Sequence, residues 1–360
     1  MDLARLIPYA ELIPAPWWFL EFLGVLILLL HFLFVNVALG GTLIVWFSRV
    51  RAPVAGPEPI LSDIFRRKLP TTLALAINLG VAPLLFFQVL YGHFFYTGSI
   101  LMALFWILVI PVLILGYYGA YIHAKPDGGR QRIGTVALTI TAVALLYIAF
   151  ALENNVSFML RPGSWGVYFE SAGGRHLALM DPALWPRYLH FVTASVAVAG
   201  LFSALVQSIR AKRGGKMEIH QKGDHGLKIF AYATTVQIFI GFWFLMALPE
   251  GVMNHFMGSK PLYAALLLLG VALALGSILS AFNGKPGLTL GLLLPTVVVM
   301  VLMRTFLRYA YLESVFRVED LAVSPQAFVL AVFLVLFAIS LFIIWRMLRW
   351  ALGAPKGASA

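Results

Sequence analysis

The chain of 360 residues contains no cysteine, and only 11% of its residues are charged. The missing thiols exclude c-type haem attachment, iron–sulfur ligation and disulfides within this chain. A redox cofactor held here would have to rely on His, Met or charged side chains. Acidic residues are scarce as well, 15 against 26 Lys and Arg, for a formal net charge of +11. No basic, aromatic-interleaved soluble segment exists to carry that charge onto a nucleic acid, so nucleic-acid binding is not expected. What the chain has in quantity is apolar surface: 61% of its residues are hydrophobic. A soluble core of this size is not so apolar, and the fold class is therefore an all-α polytopic membrane bundle.

Nine apolar segments are expected to span, at 17–48, 71–97, 99–123, 132–157, 184–210, 226–248, 261–282, 286–307 and 325–349. Each can cross about 30 Å of hydrocarbon at 1.5 Å per residue. Gly, Pro and charge punctuate the gaps, as in Thr97-Gly98-Ser99 and Asn283-Gly284-Lys285-Pro286-Gly287. No segment reads as a cleaved signal peptide, since the first apolar run is too long and lacks a small-residue cleavage site. Residues 1–16 read as an amphipathic, interfacial lead-in. The loops at Arg49–Lys68, Lys125–Arg132, Arg210–Lys228, Lys285 and Arg346–Lys356 hold about 18 of the 26 basic residues, which makes them cytoplasmic by the positive-inside rule. The N-terminus is then outside, the C-terminus cytoplasmic, and the protein a multi-pass resident of the cell inner membrane in contact with anionic lipid. Residues 1–360 form a single membrane domain, with 17–210 and 226–350 as its two runs of helices. No internal repeat is evident, which argues against an inverted-repeat transporter.

Trp185 to Gly200 sets His190 inside an apolar helix, followed by the small residues Thr193, Ala194, Ser195, Ala197, Ala199 and Gly200. A smooth face beside an intramembrane imidazole suits either a planar iron porphyrin or a neighbouring helix. His31, His93, His176, His190 and His255 gather toward the outer leaflet. His123, His220 and His225 fall at cytoplasmic loops and read as solvated. Arg187 shares a helical face with His190, and Arg304 and Arg308 lie one turn apart. All three guanidiniums suit haem propionates or lipid headgroups. Glu21 and Glu153 are candidate proton acceptors, or partners for these arginines. Met159, Met253 and Met257 are weaker thioether candidates. The long loop 158–183 reads as a docking face, a lid or an interfacial aromatic loop.

His31-Phe-Leu-Phe-Val35 with Ala38-Leu-Gly40, Asn78-Leu-Gly80-Val-Ala82 with Tyr91-Gly92, Asn154-Asn155-Val-Ser-Phe158-Met159, and Asp181-Pro182 through His190 with Ala194-Ser195 follow one another in an order that resembles subunit I of the cytochrome bd quinol oxidases. The resemblance is best over residues 17–210. It implies haem b, with His31 and His190 as axial ligands of the haem iron and quinone as substrate. The chain departs from the family in three places. Leu101–Ile122 carries no carboxylate for delivering protons to oxygen, the quinol loop shrinks to Pro249–Lys260, and the family's Met and Glu ligands in the later helices have no clear counterparts. His93 and His255 are candidate replacement ligands. The implied function is a b-haem subunit exchanging electrons between the quinone pool and an extracytoplasmic partner, a multihaem cytochrome c or an iron–sulfur protein. A complete quinol:oxygen oxidoreductase is the alternative, and a haem-free transporter or anchor subunit the second.

Overall fold

A computed structural model describes residues 12–51, 60–125, 131–212 and 219–353. Among these residues, nine helices are long and apolar enough to cross a membrane, and the chain is an all-α bundle. The helices in chain order are α1 (Trp17–Arg51), α2 (Ile60–Leu101), α3 (Ala103–Ile107), α4 (Val109–Ala124), α5 (Gln131–Leu160), α6 (Val167–Glu170), α7 (Leu184–Lys212), α8 (Ile219–Met246), α9 (Glu250–Asn254), α10 (Pro261–Phe282), α11 (Pro286–Leu312) and α12 (Ala327–Gly353). α3 and α4 together make one span. We call the end of the bundle at which α1 begins the entry face.

The helices form two groups, α1, α2, α4 and α5 against α7, α8, α10 and α11, joined along α1 and α7. Between helices in lipid, close packing replaces the hydrophobic effect as the cohesive force, and small residues permit it. Gly40 shows how close α1 and α7 come, since a Cβ there would sit 1.9 Å from the Ser195 carbonyl oxygen. Beside it, the Ser195 hydroxyl donates to Asn36 Oδ1 at 2.8 Å. On the other flank of α7, Gly200 meets Gly226 of α8, where a Cβ on either would come within 3 Å of the other's carbonyl oxygen. The small-residue face after His190 is therefore closed from Ser195 onward by two helices. Of the two occupants the sequence left open for this face, a neighbouring helix is the one that covers it from Ser195 onward.

Several boundaries differ from the sequence reading. Thr97-Gly98-Ser99 does not interrupt α2. The Thr97 and Ser99 hydroxyls are satisfied within the helix by the carbonyls of His93 (2.6 Å) and Phe95 (2.9 Å), and α2 continues to Leu101. The irregular residue is Tyr91 (φ −129°, ψ 29°). α11 runs past residue 307 to Leu312, bringing Arg308 and Tyr309 onto the helix. Of the interfacial lead-in, residues 1–11 lie outside the described residues. Ile13 is buried, its N–H donates to Ala322 and its carbonyl accepts from Ser324 N–H, so this stretch tucks beneath the segment that precedes α12.

His123 corrects the expectation of a solvated ring. It is buried, and its Nδ1 lies 3.2 Å from the Gly134 carbonyl of α5. His225 is exposed, while the His220 side chain lies outside the described residues. In the long loop, Trp165 is buried against Phe94 with its indole N–H on the Phe158 carbonyl (2.8 Å), whereas Phe169 stays exposed. α12 stands apart. Its most apolar window has a mean hydropathy of 3.2, and none of it is buried inside the protein. Lipid is the surrounding such a surface requires.

Candidate functional site

His31 and His190 sit on neighbouring helices at similar depth, with the rings of their chain neighbours Phe32 and Phe191 5.8 Å apart. The two imidazoles nevertheless face opposite ways. His31 turns toward α2, where its Nδ1 lies 2.8 Å from the Ala76 carbonyl. Gly80 makes room for the ring: a Cβ there would lie 2.8 Å from His31 Cε1. His190 turns toward α8, where the Gln237 amide nitrogen lies 3.1 Å from its Nε2 and Gly241 lies against the ring. The two are therefore not a pair for one iron.

The candidate second ligands lie elsewhere. His93 is thirteen residues beyond Gly80 on α2, about 20 Å along a helix. His255 occupies a π-helical turn, His255–Ser259, at the entry face, with its Nε2 3.6 Å from Glu313 and its ring edge-on to Tyr263. Met159 and Met253 pack in apolar clusters, and Met257 is exposed. His176 is bonded within its own loop, with Nε2 2.6 Å from the Ser171 carbonyl. Among the described residues no three His, Asp or Glu side chains gather as a metal cluster.

The donor set at His31 fits a haem axial ligand. A metal-binding imidazole is held by a hydrogen bond from its other ring nitrogen, commonly to a backbone carbonyl, which fixes the tautomer and leaves a lone pair for the metal. Here Nδ1 has the Ala76 carbonyl, and Nε2 has no hydrogen-bond partner and is not sealed in. At His190 the fit is poorer. Gln237 blocks Nε2, and the buried Nδ1 has no hydrogen-bond partner. The Gln237 nitrogen also lies 4.0 Å from Met300 Sδ of α11, so a His, a Gln and a Met converge there. Met300 was invisible from its own surroundings in sequence. Gln237 carried a faint signal as a lone amide in an apolar run.

The charged residues form two buried sites at the entry-face half. In the first, Glu153 of α5 pairs with Arg187 of α7, and Arg304 of α11 approaches its other oxygen at 3.4 Å. Arg187 also donates to the Glu153 carbonyl (2.8 Å) and to Ser157 Oγ (2.7 Å). In the second, Glu21 of α1 pairs with Arg308 of α11 and accepts from the Tyr91 hydroxyl at 3.2 Å. The Arg308 guanidinium lies over the rings of Tyr91 (4.3 Å) and Phe87 (4.6 Å). Nearby, Arg161 and Asp181 pair at 2.8 Å, and Asp181 Oδ1 accepts the Ala183 N–H at the start of α7. Arg187 and Arg308 thus have protein carboxylates as partners. Arg304, a third exposed and poised over Phe32, keeps donors for an anion from outside the chain.

A cavity of about 280 Å³ opens beside the second site. Tyr91, Arg308 and Tyr309 line its floor, Tyr263, Leu312 and Phe316 its walls, and Lys260, Glu313, Arg317 and Glu319 its mouth. Lys260 clasps both oxygens of Glu313, at 2.8 and 2.9 Å. That hydrogen bond and charge hold the Glu313 carboxyl below the usual glutamate range. No protein-family model matches this chain, and no curated protein matches its sequence.

Proposed function

We propose that this chain is a b-haem membrane subunit of an electron-transfer complex, linking the quinone pool to an extracytoplasmic redox protein. The observation that carries the reading is His31. Its Nδ1 is bonded to a backbone carbonyl, Gly80 clears space for the ring, and Nε2 is left available inside an apolar bundle. Bound haem would supply one-electron chemistry at a potential tuned by ligand, burial and nearby charge. The protein's part is to orient the imidazole and fix its tautomer, through Ala76, and to offer Arg304 to an anionic propionate. Oxygen reduction is the less favoured alternative, because between Asn78 and Glu153 the sequence has Asp127 as its one carboxylate. A four-electron reaction in that half would lack acids to feed it protons.

The test is the pyridine haemochrome of the purified full chain and of His31→Ala. The wild type should show a b-type spectrum, and the variant should lose at least half of the haem. Unchanged haem in the variant would remove His31 as a ligand, and a wild type without a Soret band would end the haem reading altogether. His190→Ala in parallel reports on the second imidazole. Haem lost there would mean that Gln237 yields its place to iron.

A further inference from the structure

We infer that the cavity beside Arg308 seats the headgroup of a zwitterionic phospholipid, with its phosphate on arginine and its ammonium on a carboxylate. The inference needs only a membrane-spanning chain and does not rest on the proposed function.

Charge pairing selects the ligand. The cavity and its floor bring together Lys260, Arg308 and Arg317 against Glu21, Glu313 and Glu319. Lys260 takes up Glu313, and Arg308 takes up Glu21. Arg317 and Glu319 remain, one charge of each sign, with no ion-pair partner among the described residues. An anionic headgroup would satisfy Arg317 and leave Glu319 facing a further negative charge. A simple cation would do the reverse. A short group that carries both signs answers both.

The fold holds these charges in place. Arg317 and Glu319 flank the buried Val318 at a 3₁₀ turn, Val318–Asp320. The Asp320 N–H donates to the Arg317 carbonyl at 3.2 Å, and the Ala322 carbonyl just beyond accepts the Ile13 N–H. At the floor, Arg308 is nine-tenths buried, yet its Nε has no hydrogen bond. A phosphate oxygen supplies the acceptor this donor lacks, and guanidinium matches phosphate geometry well. The other end of the headgroup meets Glu319 and the aromatic walls Tyr263, Tyr309 and Phe316, whose ring faces attract an alkylammonium. At about 280 Å³ the cavity has room for roughly nine waters at ~30 Å³ each, enough for a phosphoethanolamine group and too little for acyl chains.

Position makes the ligand a lipid rather than a soluble ester. Lys260 and Tyr263 lie at the start of α10 and Arg308 near the end of α11, so the cavity sits where two spans leave the hydrocarbon. Along α10, Leu262, Leu268 and Leu269 are exposed. Acyl chains would lie against that surface while the headgroup turns in at the mouth.

The test is native mass spectrometry of the purified full chain in detergent, delipidated and then given palmitoyl-oleoyl phosphatidylethanolamine and phosphatidylglycerol in equal amounts. A diazirine-bearing phosphatidylethanolamine locates the site by peptide mapping. The wild type should retain one phosphatidylethanolamine, at least fivefold over phosphatidylglycerol, and label should fall on residues 260–263 or 308–319. Arg317→Gln should cut phosphatidylethanolamine retention at least fivefold. Glu319→Gln removes the carboxylate and keeps the arginine, so the preference for phosphatidylethanolamine over phosphatidylglycerol should fall at least fivefold. Both side chains are exposed, and a melting curve checks that each variant is folded. Equal retention of the two lipids by the wild type, or an unchanged preference in Glu319→Gln, overturns the inference. Label elsewhere overturns it too. So does displacement of the label by glycerophosphoethanolamine at the lipid's own concentration, which makes the ligand a soluble ester, or by decylubiquinone, which gives the cavity to a quinone. Haem enters none of these readouts, so the outcome is the same with or without a Soret band.

Discussion

The two buried carboxylate sites are built from the same chemistry and differ in what surrounds them. Glu153 is enclosed: Arg187 and Arg304 approach its two oxygens, and Ser157 and the Glu153 carbonyl take further Arg187 donors. Glu21 has one guanidinium and one phenol, and the Arg308 that serves it also borders a cavity. Burying an ion pair costs desolvation that only near-complete hydrogen bonding offsets. The Glu153 site meets that condition with protein atoms and ties α5, α7 and α11 together. The Glu21 site leaves Arg308 Nε without a partner, the state expected where a ligand or water completes the set. One site is therefore a structural clamp, and the other is unfinished by protein atoms alone.

The sharpest way to break this contrast is to remove each carboxylate. Glu153→Ala strands Arg187 inside the bundle and should cost about 3–5 kcal/mol, the range for losing one partner of a buried pair. The readout is thermal or denaturant unfolding of the detergent-purified protein, with poor yield as the coarse sign. Glu21→Ala should cost less, about 1–3 kcal/mol, because Arg308 keeps its contacts with Tyr91 and Phe87 and can draw water from the cavity. Equal losses in the two variants would mean that the cavity does nothing to relieve Arg308. The amide variants Glu153→Gln and Glu21→Gln sharpen the comparison by keeping shape and removing charge. The first should remain clearly destabilising, whereas the second should cost less, because Arg308 keeps its contacts with Tyr91 and Phe87.

How much of this was legible in the sequence follows from the range of each interaction. The nine spans read directly, because length and apolarity are local properties, and the errors lie at ends such as Thr97-Gly98-Ser99, where polar side chains that read as a break are satisfied by the helix backbone. The importance of Glu21, Glu153, Arg187, Arg304 and Arg308 was visible, since charge at membrane depth is costly. Their pairing was not, because Glu21 and Arg308 are separated by 287 positions and Glu153 and Arg304 by 151. The small residues after His190 were read correctly as a contact surface, but a helix and a porphyrin ask for the same smoothness. His123 was misplaced because a position at a helix end says nothing of the neighbouring helix that covers it. The cavity carried no signal, as its lining comes from three separated stretches of the chain.

The smallest effect concerns the exposed pair at the cavity mouth. Glu313 has its carboxyl held down in the folded protein by the Lys260 hydrogen bond and charge, so its folded pKa is below its unfolded value. The stability this contributes is therefore complete above the unfolded pKa, about 4.3, and disappears as pH falls through the lower folded value. Both side chains are more than a third exposed, and solvent screening keeps the contribution below about 1 kcal/mol. Lys260→Met should lower the melting temperature by only about 1–2 °C at pH 7, and the gap to wild type should close on acidification below the glutamate range. High salt should narrow it at neutral pH. A gap that persists unchanged into acid would assign the loss to the Lys260 ammonium over the Tyr263 ring rather than to its pairing with Glu313. The mouth of the cavity would then be held by the contact between Lys260 and Tyr263, which does not depend on the charge of Glu313.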